Sequence, residues 1–344
     1  MTLSGSINQS PSTSVARCGL TQFVNAGRLP LEAGYDGDMT TPSLVFATTN
    51  YCYLQEKLCS CGHCEKGEVE TRYFPDGERY LRLLTESVGR DVVVLGGTVN
   101  DADTLTLYDL ACATVGAGAR TLTLVIPFFG YQTMERRVKK GGVVVAKTRA
   151  RLFSSIPPAG LGNRVALMDL HSEGIPHYFS GEVRPVHLSA RSLLLDEIRR
   201  VGGEEFVLGA TDAGRAKWVE SLANDLGVEG AFIFKRRHDD GTTEAASMNA
   251  DVCGRKVVIF DDMIRTGGSL IGAARAYLDA GAKSTAAVAT HGVFPGEAFR
   301  LIADSGLFTH IVCTDSHPRS LELAEEPQLD VVSIAGIYAE FLNA

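Results

Sequence analysis

The sequence predicts an α/β protein made of two doubly wound, parallel-sheet domains. Three observations predict it. From Ser43 onward, short β-branched runs alternate with longer segments of helical period. Runs such as Val92-Val93-Val94-Leu95 and Val257-Val258-Ile259-Phe260 are apolar at every position, as strands covered by helices on both faces require. The two halves also repeat one pattern, a helix closing near Gly-Ala and then an apolar strand. It appears as Val115-Gly116-Ala117-Gly118-Ala119 before Leu122–Ile126, and as Asp279-Ala280-Gly281-Ala282-Lys283 before Ala286–Ala289. Gly at such a point supplies the left-handed conformation that closes a helix.

In chain order, strands are expected at Ser43–Ala47, Asp91–Leu95, Leu122–Ile126, Arg164–Met168, Glu205–Leu208, Ala231–Phe234, Lys256–Phe260, Ala286–Ala289 and His310–Cys313. Helices are expected between them, as at Ala102–Val115, Ser189–Val201, Ala216–Leu226 and Ser269–Ala280. Residues 1–40 are rich in Ser, Thr, Gly and Asn without sustained periodicity, and are read as an N-terminal extension.

Composition bounds the function. The chain has 344 residues, and at about 150 residues per domain that is room for about two cores. Its net charge is −8, from 33 Lys and Arg against 41 Asp and Glu. Such a balance gives no electrostatic footprint for nucleic acid or an anionic membrane, although local phosphate sites remain open. No apolar run reaches the roughly 20 residues that span a bilayer. The N-terminus lacks the basic and apolar regions of a secretory signal, so a cytoplasmic protein with reduced thiols is expected. Eight cysteines are present, of which Cys59, Cys61 and Cys64 cluster with His63. Those four side chains could form a structural zinc site; the other reading is a Cys-rich surface turn.

The segment with most chemistry is Val257 to Leu270. An apolar strand ends in Asp261-Asp262, and Arg265-Thr266-Gly267-Gly268-Ser269 then opens a helix. Ligands of open α/β sheets bind beyond the carboxyl ends of strands. Glycines let backbone N–H groups converge on an anion, and a helix N-terminus favours negative charge. The acids suit vicinal ribose hydroxyls or a hydrated Mg²⁺. The ligand implied is a sugar phosphate, with its phosphate in the turn and its hydroxyls on the acids. Two near-motifs carry less. Gly142 to Thr148 lacks the Gly that a P-loop needs before its Lys, and Gly116-Ala117-Gly118 is only a fragment of a dinucleotide fingerprint.

This segment resembles the ribose-5-phosphate loop of the ribose-phosphate diphosphokinases, which make phosphoribosyl pyrophosphate (PRPP). Further segments are similar to the same family and follow in its order: Phe74-Pro75-Asp76-Gly77-Glu78, Pro127-Phe128-Phe129-Gly130-Tyr131, Met168-Asp169-Leu170-His171, Thr211-Asp212-Ala213-Gly214, Lys235-Arg236-Arg237 and Thr314-Asp315-Ser316. The resemblance implies two domains of the phosphoribosyltransferase-like type. An ATP-side domain would run over 41–187 and a ribose-phosphate domain over 188–326, with 327–344 packing back on the first. It implies transfer of the diphosphoryl group of ATP to the 1-hydroxyl of ribose 5-phosphate, giving PRPP and AMP. Lys235 and Arg237 would be catalytic, at the start of a loop that reaches Gly241 and closes. Phe74, Asp76, Glu78 and Glu135 would bind ATP, with Phe74, Asp76 and Glu78 completing the site of a neighbouring copy in a homodimer or larger homo-oligomer. His171 and Asp212 would hold Mg²⁺. Asp261, Asp262, Arg265, Thr266, Gly267, Gly268 and Ser269 would hold the ribose phosphate.

The chain departs from the family pattern at three places. Gln132-Thr133-Met134-Glu135 stands where the family shows Ala-Arg-Gln-Asp, Arg265 stands for an acid, and Ser172 to Pro176 replaces a regulatory stretch. Arg265 raises a second reading, a diphosphokinase for a larger acceptor such as ADP-ribose. A third is a catalytically silent regulatory relative, against which the retained Asp261, Asp262, His171, Asp212, Lys235 and Arg237 count.

Overall fold

The computed structural model describes residues 41–62, 64–237 and 243–344. The expectations for residues 1–40, His63 and Gly241, and for the side chains of Lys235 and Arg237, lie outside what is described.

In chain order the first half contributes β1 (Ser43–Ala47), α1 (Cys52–Ser60), β2 (Cys64–Lys66), β3 (Val69–Tyr73), β4 (Arg79–Leu83), β5 (Asp91–Leu95), α2 (Asp101–Gly116), β6 (Thr121–Ile126), α3 (Val145–Ser154), β7 (Asn163–Met168) and β8 (Val183–Leu188). Six of these strands form a parallel sheet in the order β2-β1-β5-β6-β7-β8, while β3 and β4 pair as an antiparallel hairpin. The second half contributes α4 (Arg191–Gly202), β9 (Phe206–Ala210), α5 (Ala216–Leu226), β10 (Glu229–Ala231), β11 (Ile233–Arg237), β12 (Thr243–Met248), β13 (Lys256–Ile264), α6 (Gly268–Asp279), β14 (Ser284–Gly292), α7 (Ala298–Asp304), β15 (Phe308–Thr314), α8 (Pro318–Glu322), β16 (Leu329–Val332) and α9 (Ala335–Asn343). Its parallel sheet has the order β10-β9-β13-β14-β15-β16, and β11 and β12 form an antiparallel ribbon. The architecture is α/β with two parallel sheets.

The apolar runs work as a covered sheet demands. Val45 and Val93 join one apolar cluster, and their neighbours Leu44, Phe46, Val92 and Val94 join another on the opposite face. In the second sheet Val258 and Phe260 point one way, Val257 and Ile259 the other. The cluster containing Val45 and Phe260 draws on both sheets and on α1, α4, α5 and α9, so the halves share one core. Gly118 and Gly281 close their helices at φ +88° and +92°. Among the described residues no helix is long and apolar enough to cross a membrane.

Several elements differ from the sequence reading. The strand expected to end at Phe260 runs on to Ile264, because β14 also lengthens and pairs alongside it to Gly292. Asp261 and Asp262 therefore lie within a strand. Ala231–Phe234 divides at Phe232 into the edge strand β10 and the ribbon strand β11, which carries Lys235-Arg236-Arg237. The C-terminal segment also divides: β16 extends the second sheet, and α9 packs with Leu54 and Leu58 of α1.

Candidate functional site at the junction of the two sheets

The carboxyl ends of both sheets meet at one cavity of about 270 Å³. β13 delivers Asp261 and Asp262, and the turn after it delivers Arg265, Thr266, Gly267 and Ser269. Gly267 caps α6 in the left-handed region, at φ +81°, and a Cβ there would lie 2.4 Å from Cγ1 of Ile302. Only Gly fits both constraints. The loop after β9 delivers Thr211, Asp212 and Arg215, and the first sheet sends in His171 and Thr133.

The two carboxylates are neighbours with different surroundings. Asp262 is buried, and its Oδ1 lies 2.6 Å from Arg215 Nη2. Its Oδ2 lies 2.7 Å from Nδ1 of His171, and that nitrogen is also 2.6 Å from Arg215 Nη2. Asp261 receives the hydroxyl of Thr211 at 2.9 Å and the Asp262 backbone N–H at 2.9 Å, with Arg215 Nε more distant at 3.5 Å. Burial raises the Asp261 carboxyl well above the usual range, and the negative charge of Asp262 adds to the rise. Burial would also raise Asp262, but the His171 hydrogen bond and the Arg215 charge outweigh it and hold Asp262 low. Asp262 is thus the fixed anion of the pair, and Asp261 is the more readily protonated.

Arg215 was not singled out from the sequence. Its signal was present: a basic residue directly after Thr211-Asp212-Ala213-Gly214, beyond the carboxyl end of an apolar strand. Arg265 differs from Arg215. It is exposed, makes no ion pair among the described residues, and donates to Thr133 Oγ1 across the cleft at 3.5 Å. Two of the positions that break the family pattern, Thr133 and Arg265, therefore face each other.

Other expected residues lie apart from this cavity. Phe74, Asp76 and Glu78 sit at the exposed tip of the β3–β4 hairpin. The tip is closed by Phe74 N–H to Glu78 C=O at 2.8 Å and by Glu78 N–H to Asp76 Oδ1 at 3.1 Å. Glu135 follows the short helical turn of Gln132–Met134 and pairs with Arg136 at 3.4 Å. Gly268 starts α6 beside the lining residues. Thr314, Asp315 and Ser316 are fully buried; Asp315 pairs with Lys57 at 2.8 Å, and Ser316 meets His291 at 2.7 Å.

The donor set of the cavity suits a hard divalent cation. Asp212 and His171 line the same wall space, and Asp212 spends Oδ1 on the Gly214 N–H at 2.9 Å. A carboxylate and an imidazole fit an ion that takes most of its shell from water and phosphate oxygens. The expected zinc cluster does not assemble from the residues described. Cys59 lies in α1, Cys61 caps that helix and Cys64 opens β2; all three thiols are free. Burial pushes the Cys59 thiol up to about 11 and raises Cys64 as well, which disfavours the thiolate that zinc requires. Among the described residues no group of three or more His, Cys, Asp and Glu is placed to hold a metal, and His63 lies outside them.

Fold and cavity together define an α/β protein with a glycine-bearing turn at a helix start and paired acids at the junction of two parallel sheets. Comparison with known proteins narrows the class. Residues 43–156 match the N-terminal domain of ribose phosphate pyrophosphokinase, and residues 207–343 match the phosphoribosyl synthetase-associated domain. The chain is 34% identical over 315 residues to a ribose-phosphate pyrophosphokinase of Chromobacterium violaceum, covering 90% of this chain and 92% of that one. It is 31% identical over 325 residues to a ribose-phosphate pyrophosphokinase of Prochlorococcus marinus, covering 93% and 95%. The crystal structure of phosphoribosylpyrophosphate synthetase from Mycobacterium smegmatis superposes with a TM-score of 0.77 at 27% identity, covering 88% of this chain and 98% of that one. The chain belongs to the ribose-phosphate pyrophosphokinase family.

Proposed function

We propose that this protein is a transferase that moves the diphosphoryl group of ATP to the 1-hydroxyl of ribose 5-phosphate, giving PRPP and AMP. One observation carries the reading. A phosphate turn, a pair of acids of unequal basicity and a histidine from the opposite sheet converge on one cavity.

Ribose 5-phosphate would seat its phosphate on the backbone N–H groups of Thr266 to Ser269 at the start of α6, with the Thr266 and Ser269 hydroxyls as further donors. Asp261 and Asp262 would accept the ribose hydroxyls and so orient C1. Asp262 stays ionised through His171 and Arg215, and Asp261 accepts more strongly once deprotonated. Arg265 would take a phosphate oxygen at the rim, since no acid competes for it among the described residues. Lys235 and Arg237 would neutralise charge developing around the attacked β-phosphorus, the largest contribution a protein makes to phosphoryl transfer. Phe74, Asp76 and Glu78 would reach ATP in a neighbouring copy, with Glu135 on the same nucleotide wall, so a homodimer is the smallest complete unit. His171 and Asp212 would hold Mg²⁺. When bound, that ion supplies charge neutralisation on the phosphate oxygens.

Incubation with ATP, Mg²⁺ and ribose 5-phosphate should release AMP in proportion to PRPP. AMP released only with ADP-ribose, or with no acceptor at all, would refute the assignment of ribose 5-phosphate as substrate.

A further inference from the structure

The turn that carries His171 is held by more bonds than its length requires, and at a backbone cost. Asp169 sits at φ +34°, in the left-handed region that favours glycine, and is buried. Strain of this kind persists only where the surroundings over-determine it. Here they do. The Asp169 carboxylate accepts Ser189 Oγ at 2.9 Å, Ala190 N–H at 3.2 Å and Thr290 Oγ1 at 2.7 Å. The next two residues are pinned by side chains as well. Leu170 N–H donates to His187 Nε2 at 2.9 Å, and His171 N–H donates to Gln132 Oε1 at 2.8 Å.

The partners of Asp169 come from both halves of the molecule. Ser189 and Ala190 follow β8 of the first sheet, whereas Thr290 lies on β14 of the second. A glycine would adopt this backbone without strain, so the chain gives up local stability to place a carboxylate here. That carboxylate ties the root of the His171 turn to the sheet that carries Asp262, the residue His171 meets at its other end.

We infer that Asp169 is a positioning residue for the nucleotide side of the site, fixing His171 at the junction through its bond to Thr290. The inference rests on the functional reading above. None of the Asp169 side-chain bonds above runs to the sugar-phosphate turn between β13 and α6. Loss of Asp169 or of the Thr290 hydroxyl should therefore separate the two ligands.

The test uses the full chain and two equilibrium titrations: magnesium with a non-hydrolysable ATP analogue, and ribose 5-phosphate alone. Asp169→Gly removes carboxylate and strain together. Thr290→Val removes only the cross-sheet hydroxyl and leaves the His291 Nε2 contact to the Asp169 carbonyl at 3.2 Å, and it carries the test if the first variant fails to fold. Both should weaken binding of the magnesium nucleotide about tenfold, the usual size for groups that orient a metal ligand, and leave ribose 5-phosphate affinity within about twofold. Asp169→Asn, which keeps one acceptor oxygen and tolerates this backbone, should recover most of the loss. Parallel weakening of both ligands in step with a falling unfolding temperature would mean a purely structural role and overturn the inference. Unchanged affinity for both would also overturn it. Wild-type protein that binds neither ligand would overturn the functional reading, and this inference with it.

Discussion

Replacing Arg215 with Met tests the electrostatics of the site most severely. The guanidinium lies 2.6 Å from Asp262 Oδ1 and 3.5 Å from Asp261 Oδ1, and its side chain is only 15% exposed. Asp262 itself is 2% exposed, so no solvent replaces the lost cation. Removing one partner of such a buried pair costs about 3–5 kcal/mol. At about 2–4 °C per kcal/mol for a domain of this size, the unfolding temperature should fall by roughly 10 °C near neutral pH. The loss should also depend on pH. Asp262 is held below its ordinary value, so its stabilisation is full above the usual carboxylate range and fades only as pH falls through the depressed value. Asp261 is held above its ordinary value, so it contributes most below the usual range and loses that contribution as pH rises through the raised value. Without Arg215 both carboxyls rise, and protonation relieves the uncompensated charge. The destabilisation should be largest near about pH 8 and shrink toward about pH 5. Thermal unfolding of both proteins at the two pH values, in chelator, measures this. A loss below about 1 kcal/mol, or an equal loss at both pH values, would refute the reasoning.

Other expectations follow from the same site. Gly267→Ala forces a Cβ into left-handed backbone and against Ile302; it should cost about 1–3 kcal/mol in denaturant unfolding and weaken ribose 5-phosphate in titration. Lys235→Ala should lower kcat by about 10²–10³-fold while ribose 5-phosphate still binds, and unchanged turnover would remove Lys235 from the reaction. Thr211→Val takes a donor from Asp261, raising that carboxyl further, so the acid limb of kcat/KM for ribose 5-phosphate should move to higher pH. A limb that stays in place would show that Asp261 does not accept from the ribose.

The β13–α6 side of the cavity, proposed above to hold the sugar phosphate, was legible in the sequence because its parts are local. The strand, acids, turn and helix start follow one another from Val257 to Leu270, and each has a chemical reason at its position. The fully apolar strands were legible because burial on both faces leaves no room for polar residues. Elements with mixed surfaces were not. α1 buries only Leu54, Gln55 and Leu58, β3 and β4 have no fully buried residue, and β16 buries only Leu329. Their patterns are too weak to register as periodicity. The ion pairs of Arg215 and the cross-sheet bond of Asp169 were hidden for another reason. Their partners lie 46 and 47 positions away for Arg215 and 121 for Thr290, so only the folded chain brings them together. The lengthening of β13 past Phe260 is of the same kind, since it depends on β14 continuing beside it.

The central claim is transfer of a diphosphoryl group rather than a single phosphoryl group. A ³¹P spectrum of the products from ATP, Mg²⁺ and ribose 5-phosphate tests it directly. The account predicts AMP together with a ribose carrying its 5-phosphate and a new diphosphate ester at C1. ADP with a singly phosphorylated C1 would contradict it.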